Sequence, residues 1–411
     1  MQTASGQSFL DFKKESNLKT FPQDFSNYIT SFGDTYFWLK GNFHVVTRAA
    51  DARMVLTSPE FSADRGGFFI SRMPKMDLSL IQDFFGIVQK MMVMSDDKDH
   101  STRRKIAARG FEDHIIDRFA QTVEETVKRI VKNVKNQKSF EFVEALSKEL
   151  PSTVLADLFG LPEKDRAEFF NSANIMTGFF GGATSYFNED GIRVNNAAKS
   201  LKKYFQKLIV ERRGSNGQDY VSILLKAQPM TGMSDDELIS QLIMMFVAGQ
   251  VTTTDQINNI MFLLAANPKI QEELKADPTL INNALEELKR IDPAVTFIFR
   301  VARAHTKIGE QPINPGDVIF ISNHAVNRDL PTEARAHEID IRREVSHFAY
   351  GHGPHYCLGA KLGRLEIRLL FEEILRELPL LVLDESKESS RDHYSLSFSG
   401  FHALFLKPVI Q

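Results

Sequence analysis

The 411-residue chain has one cysteine, Cys357, so no disulfide framework can form within it. That cysteine must either pack as a small apolar side chain or act through its sulfur. Long apolar runs are also missing. No segment reaches the ~18 uncharged apolar residues that a membrane span requires. The opening Met1-Gln2-Thr3-Ala4-Ser5-Gly6-Gln7-Ser8-Phe9-Leu10 has neither a basic n-region nor an apolar core. Both absences predict a soluble, cytoplasmic protein with no membrane partner. Excess positive charge is lacking as well: 50 Lys and Arg stand against 53 Asp and Glu, a net charge of −3, which argues against nucleic acid as a partner. No Pro/Gly/Ser-rich linker, repeat or low-complexity run divides the chain. Length alone would suggest two or three domains, but without a linker residues 1–411 read as a single domain, expected as a monomer.

Phenylalanine is abundant, with 33 residues against one Trp and eight Tyr, and much of it must be core. The most ordered chemical signal is Tyr350-Gly351-His352-Gly353-Pro354-His355-Tyr356-Cys357-Leu358-Gly359. Three glycines and a proline in ten residues make a tight loop, and Leu358, Leu362, Leu365 and Leu369 then keep a helical rhythm. Cys357 therefore sits at a loop-to-helix junction, where backbone N–H groups and the helix dipole favour a thiolate. A packed core cysteine and a hydrolase nucleophile with a histidine base placed by the fold remain the other readings of these residues.

This loop resembles the haem-binding loop of bacterial cytochromes P-450. The resemblance covers roughly residues 20–408 and implies a mainly α fold with small β-sheets, a single-domain cytochrome P-450 fold binding haem b (iron protoporphyrin IX) through Cys357. Tyr350 stands where the family usually has Phe, and Gly351 follows it. The resemblance also gives roles to residues that would otherwise read as ordinary helix faces or core. His100 and Arg104, spaced i, i+4 on one helical face, match the family's His-x-x-x-Arg element for haem propionates, with Thr102 where a further Arg is common. Arg300 and His355 would be the other propionate donors, since ionised acceptors form the stronger hydrogen bonds.

Ser234-Asp235-Asp236-Glu237 is a capping box and Ala266-Asn267-Pro268 a stop, predicting a helix of ~45 to 50 Å between them. Its middle, Ala248-Gly249-Gln250-Val251-Thr252-Thr253-Thr254, is poor helix material, and the threonine hydroxyls are expected to bend it. Ala248 and Gly249 leave a groove beside Thr252, or else mark a close helix crossing. The segment resembles the family's oxygen-activation motif, in which an acid and a threonine relay protons; here the acid position is Val251. Glu287 and Arg290 match the family's internal Glu-x-x-Arg pair, and His337, Glu338 or Arg335 are candidates for its third partner.

For the substrate, the resemblance points to Phe68 and Phe69 after a Gly-Gly turn, to Phe179 and Phe180 in a flexible lid between glycines with Met176 and Phe187 nearby, to Val251, to Val295, Thr296 and Phe297, and to Phe398 at a strand turn ending near Gly400. Tyr36-Phe37-Trp38-Leu39 and Phe43-His44-Val45-Val46-Thr47 read as a β-hairpin. Asn314-Pro315-Gly316-Asp317 reads as a turn into the strand Val318–Ile321. Lys361, Arg364 and Arg368, with Arg103 and Lys105, form either a solvated face or a docking surface for an acidic electron carrier. The implied activity is oxidation of an apolar small molecule, free or carrier-protein tethered, using O2 and electrons from a ferredoxin-type donor and its reductase. Oxidative coupling, desaturation, peroxide-driven oxidation and a non-catalytic haem sensor are the alternatives.

Overall fold

The central helix follows from its ends: Ser234 Oγ accepts from Glu237 N–H while a Glu237 carboxylate oxygen accepts from Ser234 N–H at 3.0 Å, and the helix then runs unbroken for 32 residues, Asp235–Ala266. A computed structural model of the protein describes residues 2–180, 187–329, 336–392 and 395–409, leaving out the Phe180 side chain. These fall into two compact units. One comprises Met1–Phe61, Val123–Pro151 and Thr252–Gln411; the other comprises Ser62–Thr122 and Ser152–Val251.

The first unit holds the β structure. Thr35–Trp38 and Phe43–Val46 pair antiparallel as the expected hairpin, with Asn42 at a φ of 54° in its turn. Phe43–Val46 then runs parallel to Val318–Ser322, which is antiparallel to Phe297–Ala302. Gly316, at a φ of 88°, makes the turn into Val318–Ser322. The helix Ala49–Thr57 packs on this sheet through Ala52, Val55 and Leu56, and Phe348 joins the same core beside Ile319 and Ile321. The chain entering the Cys357 loop is thus anchored in the core two residues before Tyr350.

Several sequence expectations are corrected here. Phe297, expected to face the substrate, packs in an aromatic cluster of the first unit. Its ring stacks on Phe9 at 5.5 Å and meets Phe25 and Phe320 edge-on, because it opens a strand whose buried side is aromatic. The alternating stretch expected to turn at Gly400 forms no strand from Ser395 to Gly400: Phe398 makes an isolated bridge to Val295, and Phe401–Ala403 begins only after Gly400 and pairs with Ser390–Arg391. Tyr394 lies outside the described residues.

The second unit is helical, and much of its Phe content is core. Phe159, Phe169, Phe205, Phe246 and Tyr220 form one aromatic cluster. Gly110 is needed there, since a Cβ would stand 2.0 Å from the Tyr220 ring. Gly66 and Gly67 open the helix Gly66–Ser71 instead of making a separate turn. Phe179 is not an exposed lid residue. It is only 7% exposed and meets Phe84 edge-on at 5.0 Å, near the end of the helix Glu163–Phe180. Gly181 and Gly182 lie outside the described residues.

Candidate functional site

In the first unit, the Cys357 loop is shaped by its glycines. Gly351 and Gly353 adopt φ of 73° and 69°, a region costly for other residues. Gly353 lies against the Ala49–Thr57 helix so closely that a Cβ would meet Leu56 O at 3.0 Å and Thr57 Cγ2 at 2.8 Å. Gly351 N–H donates to Phe348 O, and Cys357 N–H donates to Tyr350 O, each at 2.8 Å. These bonds close the loop on itself and leave Cys357 exposed, three residues before the helix Ala360–Glu377. An exposed thiol held on a rigid loop is not the buried, inert cysteine that the sequence also allowed.

Behind the loop is a charged frame. The Arg364 guanidinium carbon lies 4.4 Å from the Tyr350 ring centroid and Lys289 Nζ lies 5.4 Å from it. Both cations are paired with Glu286, which also accepts from His347. Burial alone would raise the Glu286 carboxyl, but these three donors hold it well below the usual carboxylate range. Tyr350 Oη is buried with no hydrogen-bond partner among the described residues, and burial pushes its hydroxyl upward. Arg364 and Arg368 therefore do not form a bare basic face; Arg368 pairs with Glu372.

Glu287 and Arg290 form a fully buried two-armed pair, Nε to Oε2 at 2.7 Å and Nη2 to Oε1 at 2.8 Å. Arg290 also donates to the carbonyls of Asn327, Ala336 and Glu338. The third partner is Arg343, 3.4 Å from Glu287. Glu338 accepts from Arg290 through its carbonyl, and Arg335 lies outside the described residues. Helix geometry hid Arg343, because it approaches from an irregular segment with no motif spacing.

Arg300 is buried on the strand Phe297–Ala302, and His355 sits in the short turn Gly353–His355. Val295 bridges to Phe398, and Thr296 N–H donates to Ser397 O. Thr296 Oγ1 is buried with no partner among the described residues. Lys13, missed by sequence reading, donates to the carbonyls of Ser395 and Phe398 at 2.7 and 2.6 Å. On the central helix the Thr254 hydroxyl donates to Ser147 O.

In the second unit His100 is buried and Arg104 half-buried on the helix Asp97–Ala107. Asp96, preceding that helix, accepts from Ser62 Oγ and Ala63 N–H. Arg103 is 11% exposed and pairs with Glu237 at 3.5 Å, so it turns inward and is withdrawn from any docking face. Gly249 faces Leu155, where a Cβ would meet Cδ2 at 3.1 Å, the close helix crossing that the sequence allowed. Its neighbour Ala248 is exposed and Val251 half-buried in a helix otherwise largely buried. Phe68 and Phe69 lie 6.1 Å apart on their helix, and Phe187 is exposed.

The donor set fits a haem-thiolate group in kind. One exposed thiol is fixed by backbone hydrogen bonds, and buried Arg300 shares its unit, while His100 and Arg104 share a helix face in the other. Among the described residues no helix is long and apolar enough to cross a membrane.

A family profile described as Cytochrome P450 matches residues 19–401. Cytochrome P450 monooxygenase PikC of Streptomyces venezuelae is 30% identical over 82% of this chain and 78% of its own length. The biotin biosynthesis cytochrome P450 of Bacillus subtilis is 29% identical over 80% and 82%. P450BioI, solved in complex with hexadec-9Z-enoic acid ligated acyl carrier protein, superposes with a TM-score of 0.86 at 25% identity, over 97% of this chain and all of that one.

Proposed function

Because the chain belongs to the cytochrome P450 family, and is an oxidoreductase of that kind, we propose that it binds haem b through the Cys357 thiolate and oxidises an apolar small molecule with O2 and electrons from a ferredoxin-type donor. The observation that carries the reading is the exposed Cys357 on a loop closed by its own N–H to Tyr350 O. When bound, such a group supplies a thiolate-supported iron that activates O2. The residues of this chain supply the rest. Arg300, His355, His100 and Arg104 neutralise the propionates, and the Tyr350 ring covers the sulfur. Thr252 offers a hydroxyl for proton transfer, which Val251 cannot do. Val295, Thr296, Phe398, Phe68 and Phe69 are the proposed walls that orient an apolar substrate and exclude water. The likeness to P450BioI adds carrier-tethered acyl chains to the free molecules worth screening.

The test is the absorption spectrum of the reduced protein under carbon monoxide. A thiolate-type carbonyl band in the wild type that Cys357→Ala abolishes is the expected result; no haem band after reconstitution overturns the reading. A screen for compounds that shift the resting ferric spectrum, free and carrier-linked, then defines the substrate class.

A further inference from the structure

The central helix has valine where the proton-relaying acid was expected, yet a carboxyl stands one turn later. Asp255 follows Thr252 by three residues, the spacing at which helical side chains are neighbours with Cβ atoms ~5–6 Å apart. One water spans what separates such groups. Asp255 is buried, and Gly400 gives it room, for a Cβ at 400 would stand 2.0 Å from its Oδ1. Its charged neighbours come from three other segments: Lys13 of the helix Phe9–Glu15, Lys148, and Arg391 with Asp392. Lys13 is fixed by the Ser395 and Phe398 carbonyls and couples electrostatically to Asp255, Asp392, Arg391 and Asp292. Asp392 in turn lies 3.6 Å from Nε2 of His402, whose side chain is 53% exposed. A set of electrostatically coupled titratable groups thus links the half-exposed His402 to the helix turn that carries Thr252.

Building on the haem-thiolate reading, we propose that Asp255 is the proton donor serving Thr252 in place of the acid missing at 251, refilled from solvent by way of His402, Asp392 and Lys13. The Asp255 O–H bond breaks and its proton passes, directly or through one water, to the Thr252 hydroxyl, which passes its own proton on to the dioxygen that the proposed reaction reduces. The Asp255 carboxylate then takes a proton from the Lys13 ammonium, and the Lys13 amine takes one through Asp392 and His402. One solvent proton moves inward, and no electrons travel this path. Burial pushes the Asp255 carboxyl up to about 8 and the Lys13 ammonium down to about 8, so the proton affinities of the two groups converge. A purely structural Asp255 would only tie the first helix to the 395–400 segment.

The experiment pairs infrared difference spectra of the holoenzyme, recorded across a pH titration, with the hydrogen peroxide released per electron consumed. In the wild type the protonated-carboxyl absorption, to which the buried Glu366 carboxyl also contributes, falls with a midpoint near pH 8. Asp255→Asn, close in shape to the neutral acid, removes one carboxyl's share of that absorption, leaves the Glu366 share, and raises the peroxide share several-fold while the thiolate carbonyl band is kept. Lys13→Met shifts the band's midpoint upward, because a cation that lowers it is gone, and also raises the peroxide share. An unchanged peroxide share in both variants overturns the relay, as does a drop in stability without one. Absence of the thiolate carbonyl band in the wild type is a different failure, that of the reading on which the relay rests.

Discussion

Replacing Arg290 by methionine would take both arms of its pairing from the fully buried Glu287 carboxylate and leave it only the longer contact with Arg343 and the Asp340 N–H. Removing one member of such a pair typically costs ~3–5 kcal/mol, whereas replacing both with apolar groups costs much less. Arg290→Met is therefore expected to lower the urea midpoint strongly, and Glu287→Leu/Arg290→Met to recover part of the loss; equal midpoints for the single and double variants would contradict this account. Glu366 is a second residue with a measurable signature. It is buried on the helix after Cys357, its Oε2 has no hydrogen-bond partner among the described residues, and burial pushes its carboxyl from 4.5 up to about 8. The folded state favours the protonated form, so this contribution is fully present below about pH 4.5. It is lost as pH rises toward 8, at most ~1.4 kcal/mol per pH unit. Glu366→Gln should match the wild type near pH 4.5 and exceed it in stability at pH 8 to 9. A constant difference across that range in pH-dependent denaturation would show that Glu366 is not held neutral.

The elements that hold Cys357 were legible in the sequence, because their signals are local. A capping box, a Gly-Asn turn, a Pro-Gly turn and a glycine-rich loop before a helical leucine rhythm each act within a few residues. What sequence could not give was which partner arrives from elsewhere. Arg343 reaches Glu287 from an irregular segment, Lys13 reaches the 395–398 carbonyls from the first helix, and Phe297 turns to Phe9 because a strand's two faces look alike until the sheet is packed. Asp255 had a readable signal, a carboxyl one turn after Thr252, but its burial depends on Gly400. The loop itself carries a prediction at this scale. Gly353→Ala adds a Cβ at a φ of 69° and 3.0 Å from Leu56 O, in backbone that cannot yield easily. Overpacking and positive φ together cost ~1–3 kcal/mol. The expected outcome is a smaller thiolate carbonyl band with a matching rise of the band typical of a lost thiolate, while Gly67→Ala, which meets nothing within 4 Å, leaves the spectrum unchanged.

Taken whole, the chain is divided by its contacts yet not by its backbone. The junctions between the two units fall at 61/62, 122/123, 151/152 and 251/252. The first lies inside the strand Phe61–Ser62, and the others inside the helices Asp113–Val134, Glu149–Leu158 and Asp235–Ala266. Autonomous domains are normally joined by exposed, irregular linkers. Here every crossing is made in hydrogen-bonded structure, and unfolding one unit would leave four such elements to fray or break. Helix propagation is cooperative, so an end created in the middle of a 32-residue helix is not a natural stopping place. The prediction is a single calorimetric transition in which the calorimetric and van't Hoff enthalpies agree. It should be accompanied by simultaneous loss of helical circular dichroism and of the haem absorption. Two resolved transitions, or a residue 152–251 fragment that folds alone, would make the units domains in their own right.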